Sequence, residues 1–322
     1  MKNGLLVLIL LSALCLFACN SNSSKSKEEN SLVGNIKISG AYALYPMVSI
    51  WAEEFQKLYP KVKIDISKGG AGKGIADVLS QKVDLGMISR KLTSIEREKS
   101  LWTIAVAKDA VVVTINSNHL LYQEIMTKGL SQIQLYKIFI SGEISNWKQL
   151  YPDIESAPDE PIHVYTRSDD CGAGETFANY LNRNQKEILG FKVGSDPAMA
   201  AAVEKDIYGI GYNNIGFAYD RNTRKPVNGI AVVPLDINRN HQIDKKENIY
   251  TTVDDLSYAI KDGVYPMPPA RVLCFVSKGQ PNTPLLKTFL KYVLGDGQLL
   301  THQGGFVALS EWYVEKELEK LH

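Results

Sequence analysis

Alternating and periodic apolar residues divide this chain into strands and helices in a regular order. Ile36 to Ser39 reads as a short strand, and Pro46 opens a helical pattern with apolar residues at Val48, Ile50, Trp51 and Phe55. Val62 to Ile66 alternates as a strand and runs into the glycine turn Gly69-Gly70-Ala71-Gly72-Lys73-Gly74, which predicts a helix from Ile75 to about Gln81. Asp84 to Ile88 is the next strand. Strand, turn, helix and strand in this order imply a parallel sheet with helices on its faces, whose ligands sit beyond the carboxyl ends of the strands.

The second half repeats that grammar. Ile104 to Asn116 is strand-rich, Leu130 to Phe139 is helical, and Ile162 to Phe217 forms another block of strands and helices that includes the strand-like Gly209-Ile210-Gly211-Tyr212. Arg271 to Val276 reads as a strand, and Pro284 to Leu294 and Gly297 to Gln303 read as helices. No repeat of solenoid period is visible. Two such blocks with their turns facing one another make an α/β fold of two lobes around a cleft.

Length and charge narrow the class. A chain of 322 residues with 45% hydrophobic content supports a large core and two lobes, and excludes a disordered or fibrous protein. Lys and Arg together number 36 against 35 Asp and Glu, so no net basic field draws nucleic acid or an anionic membrane surface. Any anion preference is local.

The first residues read as a targeting segment. Lys2 supplies the positive start, Leu5 to Phe17 the apolar run and Leu16-Phe17-Ala18-Cys19 the end. About 13 apolar residues fall short of the roughly 20 that span a bilayer. The ending resembles the lipobox of bacterial lipoproteins, which implies that Cys19 carries the lipid and that the protein is exported and anchored in the cell envelope; an ordinary cleaved signal or an uncleaved anchor are the other readings. Residues 20–33, beginning Asn20-Ser21-Asn22-Ser23-Ser24, read as a polar tether. Beyond the lipobox pair only Cys171 and Cys274 remain, and spacing does not decide whether they pair.

Two stretches carry chemistry. Arg167-Ser168-Asp169-Asp170-Cys171-Gly172-Ala173-Gly174-Glu175-Thr176-Phe177 sets a cation and a glycine turn directly before a helix. A helix start presents unpaired amides and the positive end of the macrodipole, so the arrangement suits a small anion. Arg167 either grips that anion with its planar guanidinium, or pairs with Asp169 or Asp170, or does both. Cys171 reads as a buried apolar residue or, near a helix start with His163 close in sequence, as a nucleophile.

The other stretch runs from Asp236 to Glu247. Oxygen donors Asp236, Asn238, Asn240, Asp244 and Glu247, with Gln242 among them and Ile243 at the apolar position, follow the spacing of a calcium loop. His241 stands where such loops place glycine, and a strand-like Gly229 to Leu235 precedes the loop in place of a helix. The stretch reads as a structural Ca²⁺ clamp or as a polar surface turn; no other cofactor is expected.

Several segments together resemble the solute-binding proteins of phosphate ABC importers, the two-lobed PBP-like family. They are Gly40 with Pro46 and Trp51, the turn from Lys68 to Ile75, Asp84-Leu85-Gly86-Met87-Ile88-Ser89-Arg90, Ile138-Phe139-Ile140-Ser141-Gly142-Glu143-Ile144-Ser145-Asn146-Trp147, the Arg167 segment and Gly209-Ile210-Gly211-Tyr212. The resemblance implies one lobe from residues 34–114 and 271–322 and another from 115–270. Hinges would fall near Val111 to Asn116 and Pro268 to Cys274, and the monomer would deliver its ligand to a membrane permease without covalent chemistry. The implied ligand site contains Tyr42, Ala43, Gly70, Ala71, Gly72, Ser89, Arg90, Arg167, Asp169, Cys171, Gly172 and Ala173, and the implied ligand is phosphate.

The chain departs from that pattern where it matters for the ligand. Tyr42 and Ala43 replace the hydroxyl or aromatic residues of the first turn, Ala71 replaces a serine, and Cys171 and Ala173 replace the serine and threonine of the third. Losing three or four charge-assisted hydrogen bonds costs over about 5 kcal/mol unless other donors stand in. The candidates are the amides of Gly70, Gly72 and Gly172, the hydroxyls of Ser39, Tyr42, Tyr45 and Ser89, and the cations Lys73, Arg90 and Arg167. Phosphate is the first expectation, a different oxyanion or larger anionic solute the second, and a sensor or adhesion lipoprotein of the same fold the third. A hydrolase built on Cys171 belongs to another class again.

Overall fold

The computed structural model describes residues 32–322, so the targeting segment, Cys19 and most of the tether lie outside the described residues. The chain opens with β1 (Gly34–Gly40), whose buried positions Ile36 and Ile38 alternate with outward ones, and α1 (Tyr45–Leu58), with Pro46 in its first turn. Proline suits that position because the first helical amides have no partner to lose. The buried face of α1 carries Trp51 and Phe55, and Trp51 Nε1 donates to the Gly297 carbonyl at 2.7 Å.

β2 (Val62–Lys68) leads into α2 (Ala71–Leu79), followed by the fully buried β3 (Leu85–Ile88) and the long β4 (Leu101–Asn116). The helix begins at Ala71, earlier than the apolar pattern predicts, because the glycine turn is its first turn, capped by Gly70 at φ 87°. Gly74 lets this helix lie directly on the strands: a Cβ there would come 3.0 Å from Gly40 Cα and from the carbonyl oxygens of Ser39 and Met87. The glycines thereby bring a helix start to the carboxyl ends of β1 and β3.

The predicted helix at 130–139 is shorter. α3 (Gln132–Tyr136) is capped by Ser131 and Gln134, then widens into a π-helical turn over Lys137–Ser141 that stops at Gly142, φ 69°. Next come β5 (His163–Arg167), α4 (Gly172–Tyr180), β6 (Phe191–Val193), α5 (Asp196–Lys205), β7 (Gly209–Asn214), β8 (Ile230–Val232), α6 (Val253–Lys261) and β9 (Ala270–Lys278). α7 (Pro284–Leu294) and α8 (Glu311–Glu319) close the chain. Between them the stretch predicted as a helix forms two 3₁₀ turns, Asp296–Leu300 and His302–Gly304, because Gly295, Gly297 and the Gly304-Gly305 pair disfavour a continuous helix.

The sheet is mixed, where strand order alone predicts a parallel one. Its strands run β2-β1-β3-β9-β4-β7-β5-β6, with β8 also on β4. The pairs β1–β2, β1–β3, β5–β6 and β5–β7 are parallel, whereas β3–β9, β4–β9, β4–β7 and β4–β8 are antiparallel. β4 belongs to both halves: Leu101 to Ala110 pairs with β9, and Val111 to Asn116 with β7 and β8.

Two hydrophobic cores follow from this layout. One is built from Ile36 through Ala107 together with Leu273 through Leu321, around Trp51, Phe55, Phe275 and Phe289. The other runs from Ala110 to Ala270 with Val307 added, around Phe139, Trp147, Phe177 and Tyr212. The protein is a two-lobed α/β structure with the helix starts of both lobes turned toward the gap between them. Cys171 and Cys274 are free thiols, the first in that gap and the second on β9.

Candidate functional site

Residues from both lobes enclose a small cavity with ≈ 170 Å³ of empty space, part of it open to solvent. The space is small and lined, apart from Tyr42 and Arg167, by short side chains, so the occupant it suits is a small ion. The first lobe contributes Ala41, Tyr42 and Ala43 from the turn after β1, Gly70 and Ala71 at the start of α2, and Ser89 after β3. The second contributes Arg167 at the end of β5, Cys171, Gly172 and Ala173 at the start of α4, Asp196 at the start of α5 and Asn214 at the end of β7. Each group sits at the carboxyl end of a strand or the start of a helix, where amides lack intrahelical partners.

Arg167 is the centre of the charge arrangement. Its side chain is 1% exposed. Nε and Nη2 donate to the two oxygens of Asp169 at 2.9 and 2.8 Å, a planar two-point pair that locks the guanidinium. Nη1 lies 2.9 Å from Asp196 Oδ2, yet the approach is too bent for a hydrogen bond and Nη1 has no hydrogen-bond partner. Burial opposes the positive charge, but Asp196 and Asp169 outweigh it and hold the Arg167 pKa above the ordinary value. The Tyr42 ring from the opposite lobe lies 5.6 Å from the guanidinium carbon, in cation–π range.

The second lobe builds this guanidinium from behind. The Arg167 amide donates to Tyr212 Oη at 3.0 Å, and Tyr212 Oη also meets Thr166 Oγ1 at 2.9 Å. The Tyr212 ring stacks on Phe177 of α4 at 4.9 Å, which ties β5, β7 and α4 together. Asp196 is 3% exposed, and Asn214 Nδ2 donates to its Oδ1 at 2.8 Å. Burial raises the Asp196 pKa, with Arg167 opposing.

Cys171 caps α4: its sulfur accepts from the Gly174 amide at 3.2 Å, the role a serine oxygen has at a helix start. Burial pushes its thiol up to about 12, which leaves it protonated and a poor nucleophile at neutral pH. Gln185 braces the same turn, with Oε1 accepting from the Cys171 amide at 3.1 Å. Gly172 permits the lobes to meet, because a Cβ there would overlap the Ser89 hydroxyl and carbonyl across the gap.

Of the residues predicted from sequence, Tyr42, Ala43, Gly70, Ala71, Ser89, Arg167, Cys171, Gly172 and Ala173 line the cavity, and Asp169 braces Arg167. Gly72 lies in the first turn of α2, next to that lining. Arg90 points elsewhere: its guanidinium makes a two-point pair with Glu96 at 2.8 and 2.9 Å, and holds the Glu96 carboxyl down to about 2. Ser39 donates to Asp77 at 2.8 Å, which ties β1 to α2, and Lys73 pairs with the same carboxylate within α2. Tyr45 lies outside the lining, its ring under Lys68 at 4.8 Å.

Ala41, Asp196 and Asn214 are the lining residues that the sequence reading missed. Signals for the two polar ones exist. Ser195-Asp196-Pro197 is a helix start, and Asn214 ends the strand already marked at Gly209 to Tyr212.

Residues 25–297 match the profile of the PBP superfamily domain. The chain belongs to this family. Among the PBP superfamily protein's curated relatives, the Phosphate-binding protein PstS of Staphylococcus haemolyticus is 25% identical over 97% of this chain and 94% of its own length. The Bacillus subtilis protein of the same name is 27% identical over 71% of this chain and 76% of its own. Among solved structures, a putative phosphate ABC transporter substrate-binding protein with bound phosphate from Clostridium perfringens superposes with a TM-score of 0.70 at 21% identity, over 86% of this chain and all (100%) of that one. An ABC-type phosphate transport receptor from Vibrio cholerae gives a TM-score of 0.60 at 20% identity, with coverage of 86% and 100%.

The loop from Asp236 to Glu247 lies in the second lobe, away from the cavity lining. His241 takes φ 60°, the left-handed turn that calcium loops reserve for glycine. Asp236 is 1% exposed, and its carboxylate accepts from the amides of Asn240 and His241, both at 3.1 Å. Glu247 accepts from Ile237 at 2.8 Å, Asn238 at 3.2 Å and Asp244 at 3.1 Å. Asn238 and Asn240 donate to Asp244, and the Gln242 amide donates to Asn240. Among the described residues no group of three or more His, Cys, Asp or Glu side chains is placed to hold a metal ion.

Proposed function

We propose that this protein is the extracytoplasmic solute-binding component of an ABC importer, closing its lobes on a small tetrahedral oxyanion, phosphate before others. The observation that carries the reading is the buried Arg167, lining a small cavity between two helix starts, with an Nη1 that is ion-paired to Asp196 but makes no hydrogen bond. A buried guanidinium N–H without a hydrogen bond is costly, and an anion oxygen supplies the acceptor. The names of its curated relatives support phosphate as that anion. The amides of Gly70, Ala71, Gly72, Gly172 and Ala173, with the Ser89 hydroxyl, stand in for the absent serine and threonine hydroxyls. Asp169 orients the arginine, and Arg90 shapes the rim through Glu96 without reaching the anion.

In this reading residues 34–114 with 271–322 move against 115–270, and the ligand is released to a membrane permease. Cys19 tethers the mature monomer to a bacterial membrane. No helix among the described residues is long and apolar enough to cross one. Binding needs no covalent step, consistent with a protonated Cys171.

The test is calorimetry on residues 20–322 after unfolding and refolding, against phosphate, sulfate, arsenate, molybdate, tungstate and small carboxylates. Phosphate is expected to bind most tightly, and Arg167→Ala to lose at least about 2 kcal/mol of that affinity. Unchanged affinity in Arg167→Ala removes the arginine from the site, and silence toward every oxyanion sinks the reading.

For the 236–247 loop we propose a structural Ca²⁺ that clamps the second lobe apart from the anion site. The oxygen spacing and the left-handed turn at His241 support it, and binding would exchange the hydrogen bonds onto Asp244 for metal contacts. A melting temperature that calcium does not raise, and that chelator does not lower, disposes of the clamp.

A further inference from the structure

A run of buried polar side chains connects the anion cavity to the strands that cross between the lobes. Asp109 on β4 and Arg271 on β9 are direct cross-strand partners, placed between the end of one core at Ala107 and Leu273 and the start of the other at Ala110 and Ala270. Arg271 Nε and Nη2 donate to the two Asp109 oxygens at 2.7 and 2.9 Å. The pair is deeply buried, at 7% exposure for Arg271 and 1% for Asp109.

Arg271 then reaches beyond its own strand pair. Nη1 donates to Thr176 Oγ1 of α4 at 3.3 Å, and Nη2 donates to Asn214 Oδ1 at the end of β7. Asn214 turns its amide nitrogen to Asp196 Oδ1 at 2.8 Å, and Asp196 Oδ2 lies 2.9 Å from Arg167 Nη1. The Asn214 amide is therefore polarised at both ends, its oxygen on a cation and its nitrogen on an anion, and rotating it would break both contacts. The one member of the run without a hydrogen bond is Arg167 Nη1, at the cavity end.

We propose that Arg271 and Asn214 are positioning residues for Arg167, and that through them the angle between the lobes and the aim of the anion-binding guanidinium change together. The inference rests on the anion-binding reading above. Its physical basis is that buried hydrogen bonds among charged groups have few acceptable geometries, so a shift of β4 against β9 reorients the run as a unit. Arg271 is absent from the cavity lining, so its effect on affinity reaches the anion only through its neighbours.

A double-mutant cycle on phosphate affinity tests this, with wild type, Arg271→Lys, Arg167→Lys and the double variant measured by calorimetry. Lysine keeps the charge against Asp109 and loses the fork that reaches Thr176 and Asn214. Arg271→Lys is expected to weaken phosphate about tenfold when Arg167 is present and little when it is already lysine, since contacting groups couple and independent ones add. Equal weakening on both backgrounds overturns the inference and leaves Arg271 a structural residue. Should Arg271→Lys fail to fold, Asn214→Ser replaces it in the same cycle with the same two outcomes. A wild-type protein that binds no oxyanion overturns the anion reading itself, and is told apart by failing before any variant is compared; for one that binds a different oxyanion, that ion takes phosphate's place in the same cycle.

Discussion

Cys171 shows how one atom sets the chemistry of the cavity. Its sulfur caps α4 as an oxygen would, but a thiol is a weak donor and this one is held protonated by burial. Cys171→Ser keeps the cap and adds a strong donor beside the anion, so phosphate affinity should rise by about 1 kcal/mol in calorimetry. Unchanged affinity would mean that the side chain at this position faces away from the ligand. His119 carries a different prediction. Its Nδ1 accepts from the Leu121 amide at 3.0 Å, its Nε2 is buried without a partner, and Trp147 lies 4.0 Å away ring to ring. Burial lowers its pKa from 6.5 to about 4. The folded protein thus takes up a proton less readily than the unfolded chain, and the histidine's contribution to stability, complete above pH 6.5, is lost as pH falls toward 4. Melting temperature should drop across that window, and the drop should shrink in His119→Asn, which keeps an acceptor near Nδ1 without titrating.

Among elements, the helix starts marked by Pro46, Pro284 and the Arg167 turn were the most legible in the sequence. The Arg167 segment is readable because a cation, a glycine and a following apolar pattern each point to a helix entrance, and the structure places Arg167, Cys171, Gly172 and Ala173 in one cavity wall. Arg90 looks equivalent from sequence, a cation directly after a strand, but Glu96 lies within reach at the start of the next turn and takes the guanidinium. Asp196 sits at a helix start without a glycine turn, and Asn214 at the far end of a strand read only as Gly209 to Tyr212. Gly172 has its meaning only across the lobes. Gly172→Ala should leave the melting temperature of the ligand-free protein nearly unchanged, since the added methyl meets Ser89 only when the lobes are together. The phosphate-induced rise in melting temperature should be largely lost. A phosphate response equal to wild type would show that the lobes bind without approaching this closely.

For the whole molecule the expectation is compaction. Contacts to one anion from both lobes favour the closed arrangement by the difference in affinity between the two states. Small-angle scattering should record a smaller radius of gyration with phosphate than without, and no change would separate binding from lobe motion. The amino-acid order by itself determined the α/β class and the helices opened by Pro46, Pro284 and the glycine turns before α2 and α4, because these depend on backbone preferences and side-chain types within a few residues. Only the tertiary structure decided which strands run antiparallel, since β4 and β9 meet across more than a hundred and fifty residues, as at Asp109 and Arg271. Only the tertiary structure, too, decided that Arg90 turns to Glu96 while Asp196 and Asn214 enter the cavity. A charged side chain goes to the nearest group that compensates its desolvation, and which group is nearest is settled by packing between distant segments.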